Sequence, residues 1–229
     1  MEDLQLAHRL AAEAGLELVD TFEGLALTDG EMELRADFAH MLPRIKQGRL
    51  QQELLVRAAR VRGEDAPVAV DATAGFGEDS LLLAASGFTV HLFECNSVIA
   101  ALLADALERA ASEPELASAA SRMHLHVGDS ISGMADLRAR GVEPHVVYLD
   151  PMFPGRTKSA AVKKKFQLLH HLEQPCADED ALMRAALACA SRKVVVKRPV
   201  KGPLLAGAKP SGQLKGKAVR YDIVIPPQA

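Results

Sequence analysis

The 229-residue chain lacks the residues that cross-link a fold or anchor it in a bilayer. Its three cysteines, Cys95, Cys176 and Cys189, stand apart with no Cys-x-x-Cys pair, which argues against a disulfide framework and against a zinc site. No run approaches the ~18 apolar residues of a membrane span. The first residues, Met1-Glu2-Asp3, are acidic and carry no basic-then-apolar leader, so secretion is not expected and a reducing cytoplasm is the expected compartment. The histidines do not group as ligands. His124-Leu125-His126 is expected to send its two rings to opposite faces of a strand, and His170-His171 has no nearby third ligand. No metal is expected.

What is present is length enough to bury a full core, either as one large domain or as a domain with a small appendage. The net charge of -3 hides a division, because residues 1–150 carry -13 and residues 151–229 carry +10. A split that wide suggests that something anionic, nucleic acid first of all, approaches the C-terminal half.

Residues 1–63 read as a small N-terminal α+β unit. It comprises an Ala-rich helix over 4–14 that Gly15 can cap, a hairpin over 25–38 turning at Asp29-Gly30, and a helix over 50–62. Residues 64–229 read as the main domain, in which the period changes to alternating strands and helices. Strands are expected over 68–71, 89–93, 123–127, 145–150, 193–197 and 218–225. Helices are expected over 78–86, 97–111, 130–140, 160–172 and 179–190. That order predicts an α/β fold with a doubly wound, mostly parallel sheet.

The stretch His145-Val146-Val147-Tyr148-Leu149-Asp150 reads as a buried parallel strand, and Pro151 stops its ladder. Ligands of an open α/β sheet bind outside the carboxyl ends of the strands. Asp150, the Pro151 carbonyl and Phe153 are therefore expected to project into that crevice, where they can hold a flat heterocycle bearing an amino group. Alone, an Asp-Pro pair is more often a turn starter. Asp150-Pro151-Met152-Phe153 nevertheless resembles the Asn/Asp-Pro-x-Tyr/Phe pattern of enzymes that methylate exocyclic amines.

The cofactor signal lies after the first strand of the main domain, in Asp71-Ala72-Thr73-Ala74-Gly75-Phe76-Gly77. Gly75 and Gly77 let the backbone approach a ligand, but the third glycine of a dinucleotide fingerprint would fall on Ser80. Glu94 closes the second strand and can accept both hydroxyls of a ribose. Asp71, Glu78 and Asp79 would repel the pyrophosphate of NAD, yet they suit a sulfonium and an ammonium group, and S-adenosylmethionine carries both. Asp129-Ser130, after the third strand, can meet an adenine ring. Each acid alone reads as a helix cap or solvated turn; acids at four successive strand ends share one rim.

Taken together, the stretch 70–79, Glu94, the stretch 146–154, Lys158 to Lys164 and Val194-Val195-Val196-Lys197-Arg198-Pro199 resemble the ribosomal RNA small subunit methyltransferase J family. The resemblance covers roughly residues 67–225. It implies a seven-stranded class I methyltransferase fold whose last strand runs antiparallel. It also implies transfer of a methyl group from S-adenosylmethionine to the N2 amine of a guanine in 16S rRNA, with naked rRNA or the small ribosomal subunit as partner. By position the resemblance puts cofactor contacts on Glu78, Asp79, Glu94, Cys95, Asp129, Ser130 and Asp150. Arg156, Lys158, Lys163, Lys164, Lys165, Lys197, Arg198 and Lys201 flank the pocket in sequence and are expected to hold phosphates. Two rivals stand beside this reading: an adenine-N6 or amide methyltransferase of the same fold, and a non-catalytic RNA-binding or ribosome assembly protein.

Overall fold

The computed structural model describes residues 2–151, Leu168 and residues 178–227. Helix α1 (Glu2–Glu13) stops at Gly15, whose φ of 74° a side chain would oppose. Strands β1 (Glu17–Thr21), β2 (Gly24–Thr28) and β3 (Glu33–Leu34) form an antiparallel sheet. In the expected hairpin, the Asp29 carboxylate accepts from the amides of Glu31 and Met32 at 3.0 and 2.8 Å. The β1–β2 hairpin was not expected, since its turn lacks an Asn-Gly or Asp-Gly pair.

After α2 (Leu42–Ile45), helix α3 (Leu54–Ala59) is shorter than the helix expected over 50–62. Glu53 sits at ψ 127°, which splits off a 3-10 turn over Leu50–Gln52. The main sheet then follows in β4 (Val68–Asp71), α4 (Glu78–Ala85), β5 (Thr89–Glu94), α5 (Ser97–Ser112), α6 (Ala117–Ala120), β6 (Met123–Val127), α7 (Ser130–Ala139) and β7 (Val146–Leu149). It continues through α8 (Glu179–Cys189), β8 (Lys193–Pro199), β9 (Gly212–Lys215) and β10 (Val219–Val224). The helix expected over 160–172, and Cys176 with it, falls outside the described residues apart from Leu168, which is buried.

The seven strands run in the order β6-β5-β4-β7-β8-β10-β9. The first five are parallel, and β10 is antiparallel to both of its neighbours. Strand β9 was not foreseen, because Gly-Gln-Leu-Lys is too short and too polar to signal a strand. From β4 the chain steps to β5 on one side and later returns through β7 on the other, so the topological switch point lies between β4 and β7.

One apolar cluster joins α1, α3, α4 and α5 to one face of the sheet, and a second joins α7 and α8 to the other. Strand β7 is buried at all four positions because each face is covered, with Val146 and Tyr148 in the first cluster and Val147 and Leu149 in the second. Leu18, Leu25 and Leu27 of the N-terminal sheet belong to the same cluster as Leu102, Leu103 and Ala106 of α5. No helix among the described residues is long and apolar enough to cross a membrane.

The histidine expectation is corrected. His124 and His126 both lie against His91, with ring centroids 5.4 and 5.2 Å apart, so they share a face. Residues two apart on a strand point the same way. Burial first, then His126 and His124, push the His91 imidazole down to about 4.

The edge of the sheet is locked by a buried ion pair. Arg220 Nε donates to Asp222 Oδ1 at 2.9 Å, and its Nη1 donates to the carbonyls of Pro199, Val200 and Gly202 at 2.7, 2.9 and 2.9 Å. Replacing it as Arg220→Met removes the counter-charge of buried Asp222, which keeps its bond from Gln213 Nε2 at 2.7 Å, and takes the guanidinium donor from three carbonyls. The expected loss is about 3–5 kcal/mol, read as a lowered urea midpoint. An unchanged midpoint would mean the clamp contributes nothing.

Candidate functional site

The carboxyl ends of β4, β5, β7 and β8 converge on the turn after β4. Asp71 is buried there; its Oδ1 accepts from the Thr73 amide at 3.1 Å and its Oδ2 from Ser80 Oγ at 2.6 Å. Ser80 thus occupies the third-glycine position of a dinucleotide fingerprint and uses its hydroxyl to hold the carboxylate. Thr73 Oγ1 in turn accepts from the Asp150 amide at 2.7 Å, which ties the end of β7 to this turn.

Both glycines are required by geometry. Gly77 caps α4 at φ 74°, and a Cβ there would lie 2.8 Å from Leu103 Cδ1. Gly75, at φ 53°, has nothing within 4 Å of a Cβ position, so the turn faces open space at that point. Beside it stands Glu94, whose Oε2 accepts from the Gly75 amide at 2.9 Å and whose Oε1 accepts from the Asn96 amide at 2.8 Å. Burial raises the Glu94 carboxyl above its ordinary pKa, against the pull of those amides.

The second half of the site is an ionic cluster. Lys197 Nζ lies 2.6 Å from Asp79 Oδ2 and 2.9 Å from Asp150 Oδ2, and Tyr148 donates to Asp79 Oδ2 at 2.6 Å. Strand alternation explains the meeting. Tyr148 and Val195 lie on one sheet face, Lys197 follows Val195 by two residues, and the first turn of α4 delivers Asp79 to that face. Burial works against the Lys197 charge, but Asp79 and Asp150 outweigh it and hold the ammonium above its ordinary pKa. Burial, then Asp79, raises the Tyr148 and Tyr221 phenols, so both stay protonated.

Two expectations about cations are corrected by burial. Lys197 was expected on a phosphate but sits between two carboxylates, because an ammonium at the end of an apolar strand needs a counter-charge. Arg198, also expected on a phosphate, is 2% exposed on the opposite face of β8. Its Nε donates to the Pro203 carbonyl at 3.2 Å and its Nη2 lies 3.6 Å from Glu179.

The remaining expected residues fall along the rim. Glu78 is exposed and lies 3.2 Å from His40 Nε2, and Cys95 is exposed beside Glu94. Asp129 caps α7, its Oδ2 accepting from the Ser132 amide at 2.9 Å; that bond holds its carboxyl below the usual range. Ser130 is the first residue of the same helix, and Pro151 is buried. Phe153, Arg156, Lys158, Lys163, Lys164 and Lys165 lie outside the described residues. The sequence reading missed Thr73, Ser80 and Tyr148. Tyr148 left a signal, a hydroxyl two residues before the terminal acid on a buried strand, where it needs a partner.

A family model described as "Putative SAM-dependent methyltransferase" matches residues 1–226. A Ribosomal RNA small subunit methyltransferase J from Thioalkalivibrio sulfidiphilus is 42% identical over 98% of this chain and 94% of its own length. The chain belongs to the ribosomal RNA small subunit methyltransferase J family. The family's protein from Pseudomonas aeruginosa is 46% identical over 83% of this chain and 73% of its own. The crystal structure of a SAM-dependent methyltransferase from Neisseria gonorrhoeae superposes with a TM-score of 0.78 and 32% identity, covering 100% of this chain and 93% of that one. These matches extend to the N-terminal residues, beyond the stretch that carried the resemblance in sequence. Membership makes S-adenosylmethionine the cofactor of this methyltransferase, and the site fits it: a rim of carboxylates suits a cationic ligand rich in hydroxyls, and Gly75 leaves space beside Glu94.

Asp71 gives the site a pH signature. Burial, aided by Asp79 and Asp150, raises its carboxyl from 3.8 to about 7, against the pull of Ser80 and Thr73. The folded protein therefore takes up a proton between those values. The stabilisation is full below about pH 4 and is lost as pH rises through about 7. Asp71→Asn removes the titration, so its urea midpoints should fall less steeply than the wild type's between about pH 4 and pH 7. Equal slopes would show that Asp71 does not titrate there.

Proposed function

We propose that this methyltransferase moves a methyl group from S-adenosylmethionine to the exocyclic N2 amine of one guanine in 16S rRNA, in the cytoplasm. The observation that carries this reading is the placement of Asp150 at the switch point, with its amide on Thr73, its carboxylate on Lys197 and Pro151 directly after it. The family's proteins from Thioalkalivibrio and Pseudomonas are named for the ribosomal RNA of the small subunit, which supports the same substrate.

In this reading Glu94 accepts the ribose hydroxyls, Gly75 and Gly77 shape the turn that buried Asp71 braces through Thr73 and Ser80, Asp79 supplies negative charge, and Asp129 with Ser130 faces the adenine. Glu78 and Cys95 complete the rim. The bound cofactor supplies an electrophilic methyl group on a sulfonium.

A guanine N2 amine is a weak nucleophile because its lone pair is delocalised into the ring. The Asp150 carboxylate and the Pro151 carbonyl accept its two N–H bonds, which localises that lone pair and orients it. Lys197, 2.9 Å from Asp150 Oδ2, holds the carboxylate in place as an acceptor. Orientation of this kind is the main source of rate. Phe153 stacks on the base in this scheme, and Arg156, Lys158, Lys163 and Lys164 hold flanking phosphates. Residues 64–229 carry the chemistry, and residues 1–63 form a supporting unit.

The test is to map methylated nucleotides in 16S rRNA from cells lacking the gene. One N2-methylguanine should vanish, return with the wild-type gene, and stay absent with Asp150→Ala, whose turnover should fall by about 10²-fold or more. Full rescue by Asp150→Ala, or a missing mark on adenine, would overturn the proposal.

A further inference from the structure

A second cationic feature lies on the same sheet face as Lys197. Lys193 precedes it by four residues of β8, which puts the two α-carbons about 13 Å apart along the strand. At that end a cleft of about 560 Å³ opens, lined by Gln51, Arg57, Arg60, Arg62, Lys193 and Leu214. Lys193 Nζ donates to the carbonyls of Ala58 and Arg60 at 3.3 and 3.0 Å, which pins the end of α3. Around that pinned end the side chains of Arg57, Arg60 and Arg62 are exposed. Arg60 Nη2 donates to Gln51 Oε1 at 3.1 Å.

Little negative charge opposes these groups. Among the described residues none of the three guanidiniums is ion-paired. Two of the neighbouring acids are engaged elsewhere, Glu53 with Arg44 at 2.8 Å and Glu64 with Arg192 at 3.2 Å and His145 at 3.5 Å, and Asp65 forms no ion pair with the three arginines among the described residues. The wider chain points the same way. Residues 39–63 hold six Lys and Arg against the single acid Glu53, and residues 193–220 hold eight against none. Packing of α3 on β8, β9 and β10 lays these two stretches side by side, although more than a hundred residues separate them.

We propose that this cleft is a second RNA-backbone site, which grips phosphodiesters flanking the nucleotide presented at the end of β7. The inference rests on the RNA substrate proposed above. Guanidiniums match phosphate oxygens with paired donors, and an array spread along α3 and past its end reaches several phosphates in succession, as a polyanionic chain offers and a single free phosphate does not. Free polyphosphate shares the chemistry, so the test must separate the two.

The experiment compares the full chain with R57A/R60A/R62A and R57K/R60K/R62K. It measures binding of a 16S rRNA fragment at several salt concentrations, and S-adenosylmethionine binding by calorimetry. The alanine variant should bind RNA about tenfold or more weakly at moderate salt, and its slope of log K against log salt should shrink by about 2, near 0.7 per lost contact. The lysine variant should retain most of the affinity, and cofactor binding should not change in either. Unchanged RNA affinity and slope in the alanine variant would overturn the cleft. So would displacement of the RNA by tripolyphosphate at an equal phosphate concentration. If wild type methylates 16S rRNA while the alanine variant keeps its slope, only the cleft falls; if wild type does not methylate it, the substrate reading falls as well.

Discussion

Three carboxylates, Asp71, Asp79 and Asp150, crowd the ends of two adjacent strands and the first turn of one helix, and only one ammonium among the described residues stands between two of them. Lys197 and Asp79 are each 18% exposed in their side chains and Asp150 34%, so water screens the repulsion only in part. Removing such a cation would leave two acids facing each other without a counter-charge. The pair therefore sets the direction of Asp150.

The rest of the fold supplies that cluster with fixed supports. Strand β7 is buried on both faces, which prevents its tip from shifting, and Thr73 ties the tip to the turn after β4. Ser80 reaches back from α4 to hold Asp71, and Tyr148 reaches α4 through Asp79. The turn, the helix and the two strands thus hold one another. Arg220 performs a comparable task at the far edge, where it gathers the carbonyls after β8.

Much of this was legible before any coordinates. The alternation of apolar strands with helices predicted the doubly wound sheet, and the glycines with Glu94 predicted the turn, which the Gly75 amide to Glu94 bond then closes. Short polar β9, the β1–β2 hairpin and the break at Glu53 were not legible, because β9 has too little apolar alternation, the hairpin turns at Phe22-Glu23 without an Asn-Gly or Asp-Gly pair, and no proline or glycine marks the break. The cations were read least well. Lys197 and Arg198 looked alike beside a candidate site, yet alternation sends one into an acidic cluster and the other into the opposite layer.

The sequence by itself determined the order of strands and helices, the glycine turn, the acids at the strand ends and the family. The elements, the turn and the strand-end acids are set by residues close together along the chain, where periodicity and backbone preference act, and the family by several motifs spread along it. Tertiary structure decided which acids share a counter-charge and which arginines line one cleft. Asp79 and Lys197 are 118 residues apart, and only the tertiary fold brings a charge and its partner within reach of a hydrogen bond.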